Sequence, residues 1–214
     1  MINLNSLLKY GEIEKLGYYT GYAELPVSDI IDFDWRTILS EQPSNTSKQT
    51  LSELELISNS TFNRTDQQVE LVNTIDQDPD SYFIKLTQEY KVEYPTESIK
   101  EFYSIIKPVL LNIKGIFNRP RPAQLAKYYN IPIKVIVTDT HHTASYPSGH
   151  TVYSCLISKI LKHHYPKIDQ RKLDILVSNT AKARVLQGVH FPSDNKASLL
   201  LTEVLFDNLK DKIL

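Results

Sequence analysis

The stretch from Thr96 to Gly115 constrains the fold more than any other part of the chain. Ile99, Phe102, Tyr103, Ile106, Leu110 and Ile113 recur at helical spacing and form one continuous apolar stripe. A helix with such a stripe must bury it against other elements. Thr96 is the predicted N-cap, Pro108 a predicted kink, and Gly115 the predicted stop.

The flanking segments carry the same period. Ser28 before DIIDFDWRTIL reads as an N-cap with acids in the first turn. Further helices are expected near 50–60, 66–76 and 80–91, from Ser148 over about 149–163, over 169–187 with Gly188 as the stop, and from Pro192 or Ser193 towards the C-terminus. NRPRPAQ reads as an extended turn, and IPIKVIVT as a candidate short strand. The expectation is an all-α, single-domain helical bundle. Residues 1–95 would form an N-terminal arm and helices packed on a core at 96–214. Residues 1 to about 26 read as an irregular, Tyr-rich arm, a candidate cover for a site or a homodimer contact.

Composition narrows the function classes. The net charge of -1 offers no basic excess for a nucleic-acid backbone, so any anion site must be a local cluster of cations. Cys155, the single cysteine, excludes an intramolecular disulfide and reads as a small packed residue. No stretch approaches the ~18 uninterrupted apolar residues of a membrane span, and the N-terminus lacks the pattern of a secretory signal. The expected location is cytoplasmic.

Three segments carry chemistry: KGIFNRPRP, PSGH and ARVLQGVHFPSD. Lys114, Arg121 and Arg184 are cations from separate segments, suited to the oxygens of a phosphoryl group. Ser148 and Gly149 stand at a predicted helix N-terminus, where free N–H groups favour an anion. Asp194, four residues after His190, can fix that ring's tautomer and stabilise the imidazolium that forms. His190 is therefore the expected nucleophile, and His150 the acid that protonates the leaving group. The expected partner is a small phosphorylated substrate.

The same segments resemble the signature of the type 2 phosphatidic acid phosphatase superfamily, which includes bacterial class A acid phosphatases and vanadium haloperoxidases. Its pattern, Lys-x6-Arg-Pro, Pro-Ser-Gly-His and Ser-Arg-x5-His-x3-Asp, matches in order and spacing over residues 107–200, except that Ala183 replaces the Ser. The resemblance implies an all-helical core, a phosphohistidine intermediate and no catalytic metal or other cofactor. Its site roles fall on Lys114, Arg121, Ser148, Gly149, His150, Arg184, His190 and Asp194. An acid-phosphatase-like phosphomonoesterase is the leading expectation, with vanadate as inhibitor. The alternative is a haloperoxidase with vanadate as cofactor on the same anion site. A metal site from His190, Asp194 and His141 or His142 is the weaker reading. Arg119 is read as a solvated arginine or one lying behind the site, and His141 and His142 as a polar loop.

Overall fold

The computed structural model describes residue 9, residues 25–138 and residues 140–214. Among these residues every regular element is helical. In chain order they are α1 (Lys48–Phe62), α2 (Asp66–Gln77), α3 (Ser81–Tyr90), α4 (Thr96–Phe117), the short α5 (Pro122–Ala126), α6 (Gly149–His164), α7 (Gln170–Gln187) and α8 (Pro192–Ile213). The expected irregular arm lies almost wholly outside the described residues.

α6 forms the centre. It packs on α4, α7 and α8, and its Val152, Leu156, Ile157, Ile160 and Leu161 are fully buried. Each such side chain contributes about 1.5–3 kcal/mol on leaving water. The α4 stripe meets this core through Ile99, Phe102, Ile106 and Ile113, and Phe102 stacks on Phe206 of α8. Pro108 lies inside α4, which runs on past it.

Gly115 does not end α4. The helix continues to Phe117 and closes at Asn118, whose φ of 45° places it in the left-handed region that Asn tolerates. Lys114 therefore sits inside the last turn, buried, with its position fixed by the helix. The chain then extends to Arg121, and Pro122 starts α5 at the helical position where proline costs no hydrogen bond.

Two other expectations fail for local reasons. Residues 28–39 form no α-helix, only a 3₁₀ turn at Trp35–Thr37. The Asp34 carboxylate accepts from the Arg36 amide, a local bond that competes with the helical one. Ile31, Trp35 and Leu39 still reach the core from this irregular stretch, so the apolar spacing reflects burial rather than a helix. IPIKVIVT forms no strand. Its amides find the Gln187 carbonyl, from Ile136, and the Thr61 hydroxyl, from Lys134, so no sheet edge is formed. Gly188 is needed where this segment passes. Its φ is 86°, and a Cβ would stand 3.0 Å from Ile133.

The N-terminal helices cover one side of the core. α1 packs through Leu54 and Ile57 against Leu125, Ala126 and Phe191. α2 packs through Val72 and Ile75 against Ala183 and Leu186 of α7. Ala183 thus fills an apolar contact, where a serine would put a hydroxyl.

Candidate active site

The structure brings together the residues singled out in the three segments. α4 delivers Lys114, the turn before α5 delivers Arg121, the start of α6 delivers Ser148 to His150, α7 delivers Arg184, and the start of α8 follows His190 and carries Asp194. Lys114, Arg121, Ser148, Arg184, His190 and Asp194 are all buried, and His150 is partly exposed.

His190 is held on both ring nitrogens. Nδ1 lies 3.1 Å from Asp194 Oδ2, and Nε2 lies 2.8 Å from Arg121 Nη1. Asp194 is saturated. Oδ2 also accepts from the Ser145 hydroxyl at 2.6 Å and the Phe191 amide at 2.9 Å, while Oδ1 accepts from Arg119 at 2.6 Å. Burial alone would raise the Asp194 pKa. Arg119, His190 and Ser145 outweigh it and keep the carboxyl below the usual range. Burial, aided by Arg121, pushes His190 well below the ordinary imidazole value despite Asp194, so the ring is neutral. The weaker reading of a metal site finds little support, because the Asp194 oxygens already take four donors. Among the described residues, no group of three or more His, Cys, Asp or Glu is placed to hold an ion.

The three cations differ in what holds them. Lys114 donates to the Ala144 carbonyl at 2.6 Å, and Arg121 donates to the carbonyls of Thr143 and Val189. Arg184 instead meets a carboxylate, Asp76 of α2, and donates to the Thr140 hydroxyl. Burial and the neighbouring arginines push the Lys114 pKa well down, against the pull of Asp194. His150 lies 3.9 Å from Asp76. Its pKa falls to about 3 through burial first, then Arg184, with Asp76 opposing.

The turn at Ser148 is only partly free for a ligand. The Ser148 amide donates to Ser198, and its hydroxyl accepts from Thr151. The amides of Gly149 and His150, in the first turn of α6, have no acceptor within the helix. A cavity of about 400 Å³ opens beside them, lined by Tyr103, Leu110, Leu111 and Tyr153 together with Lys114, Gly149 and His150. A Cβ on Gly149 would touch only Leu110, at 3.7 Å, so a side chain there would take up cavity space. His141 borders the arginines, and burial first, then Arg121, lowers its pKa to about 4.

Three residues outside the expected set belong to this architecture. Arg119 is not solvated. It is fully buried, 3.8 Å over the Phe191 ring, and bonded to Asp194 and Ser193. Glu53 of α1 lies 3.6 Å from Arg119 and accepts from the Ser193 amide and hydroxyl. Asp76 is the third. The first arginine-proline pair in RPRP was the one sequence signal for Arg119. Glu53 and Asp76 lie in helices without a readable motif.

Residues 102–206 match the family model of the PAP2 superfamily. No curated protein matches the sequence. Among solved structures, the chain resembles the crystal structure of the first transmembrane PAP2 type phosphatidylglycerolphosphate phosphatase from Bacillus subtilis. The TM-score is 0.51 at 20% identity, covering 79% of this chain and 90% of that one. The likeness is one of fold, and among the described residues no helix here is long and apolar enough to cross a membrane. The helical core at residues 102–206 is thus that of the PAP2 superfamily.

Proposed function

We propose that the protein is a phosphatase that hydrolyses a phosphate monoester through a phosphohistidine on His190. Family membership and the fold of the phosphatase neighbour support the hydrolase class. One observation carries the mechanism: a buried neutral imidazole whose Nδ1 faces Asp194 while Nε2 lies among the cations.

In this reading the phosphoryl oxygens take Lys114, Arg121, Arg184 and the first amides of α6, with Ser148 shaping the turn. The Nε2 lone pair of His190 attacks phosphorus as the bond to the leaving oxygen breaks. His150 gives that oxygen its proton, and Asp194 stabilises the imidazolium form of His190. Water, deprotonated by His150, then attacks the phosphohistidine; the P–N bond breaks and orthophosphate leaves. Neither step calls for a metal.

His190→Ala should abolish p-nitrophenyl phosphate hydrolysis with an unchanged circular dichroism spectrum. Rapid quenching of the native enzyme should recover an acid-labile, base-stable phosphoenzyme. Retained turnover in the variant would sink the assignment.

A further inference from the structure

Asp76 places a carboxylate, its side chain 6% exposed, inside the proposed anion site, and it comes from α2, outside the segment that matches the family model. Val72 and Ile75 seat α2 on Ala183 and Leu186, which brings the next residue, Asp76, against Arg184 one position after Ala183. Its Oδ1 accepts from Arg184 Nη1 at 2.5 Å and from the Thr140 hydroxyl, and lies 3.9 Å from His150 Nε2.

The position of this charge bears on the leaving group. An oxygen taking a proton from His150 Nε2 sits about 3 Å from it, so no more than about 7 Å from Asp76. The neighbouring cavity has Tyr103, Leu110, Leu111 and Tyr153 on its walls beside Thr140 and Thr143, and among the described residues that line it Lys114 is the one lysine or arginine. A second phosphate on the leaving side would meet the Asp76 carboxylate, find Arg184 already compensated, and have apolar walls around it.

We infer that Asp76 is a specificity-determining residue, selecting a monophosphate carried by an uncharged alcohol and turning away a diphosphate, whose leaving group is itself a phosphate. This rests on the proposed role of His150 at the leaving oxygen.

The test compares hexyl phosphate with hexyl diphosphate, which share one alcohol, in the native enzyme, Asp76→Asn and Asp76→Ser. The native kcat/KM should favour the monophosphate by about tenfold or more. Both neutral variants should shrink that ratio, chiefly by a gain on the diphosphate. A native preference for the diphosphate overturns the inference, and so does a proportional loss on both substrates, which is all that a structural role would give. Calorimetric titration with orthophosphate and pyrophosphate reads the same selection without turnover. If neither ester is hydrolysed, the phosphatase reading fails. A Kd ratio that still shifts towards pyrophosphate in Asp76→Asn then upholds selection by Asp76, and an unmoved ratio overturns it.

Discussion

Arg121 Nη1 donates to His190 Nε2 across 2.8 Å. A guanidinium can only donate, so Nε2 must accept, and the ring proton lies on Nδ1 towards Asp194. This fixes the tautomer a nucleophilic imidazole needs, but it also caps the lone pair that would attack phosphorus. An arriving phosphoryl group, a stronger acceptor, draws the arginine onto its oxygens and frees Nε2 in the same event. Arg121→Lys keeps the charge and loses the planar fork. Its kcat/KM for p-nitrophenyl phosphate should fall by about 10²–10³, as measured by steady-state kinetics.

Anion binding should take up protons. Lys114 and His150 are pushed down by burial and by neighbouring cations, and a bound dianion reverses the second effect. Orthophosphate titrations near pH 7, in buffers of different ionisation enthalpy, should therefore show net proton uptake. Lys114→Met should remove part of it.

Stability should fall as the pH drops below about 6.5. His190, His150 and His141 all have depressed folded-state values, so between those values and the unfolded one the unfolded chain binds more protons. Their contribution is complete above the unfolded pKa and is lost progressively towards pH 3, where His150 itself titrates in the folded protein. Each costs at most about 1.4 kcal/mol per pH unit, less for the partly exposed rings. Thermal melts from pH 8 to 4.5 should show Tm declining from near pH 6.5, and His141→Gln should flatten part of the slope.

Arg119 should matter for both folding and turnover. Arg119→Met leaves Asp194 buried without its strongest partner, at a cost of about 3–5 kcal/mol. The variant should melt well below the native protein, and in the folded fraction kcat should fall more than KM changes, because Asp194 sets the geometry of His190. Glu53→Gln should give a smaller loss of the same kind, since Glu53 reaches Arg119 only at 3.6 Å.

Chelation should leave activity unchanged, because every proposed step is carried by side chains and water. Vanadate, a mimic of the five-coordinate state, should inhibit. Activity lost in EDTA and restored by a divalent ion would point to a metal mechanism. Halogenation of monochlorodimedone by vanadate-loaded protein with peroxide would point to the oxidoreductase alternative.

Much of the core was legible because one face of each helix had to be apolar. The α4 stripe, the α6 start at Gly149 and the Gly188 stop all follow from spacing and backbone chemistry. The helix end at Asn118 was missed because a glycine stood three residues earlier, and tertiary packing carried the helix past it. At the site, spacing within segments exposed the histidines and the cations, since their roles are tied to short motifs. Asp76 and Glu53 were invisible for the opposite reason. Each meets an arginine distant in sequence, and nothing local marks a helical acid as buried rather than solvated.

Phe191 and Ser193 open α8 between α1 and the Arg119 guanidinium, so the start of that helix is clamped by residues from the far end of the sequence. A core severed from its first helices would keep the Arg119–Asp194 pair but surrender Glu53, and it would part Arg184 from the Asp76 carboxylate. Loss of either arginine would therefore be felt in a helix more than sixty residues upstream, where Glu53 or Asp76 would lose the guanidinium it faces.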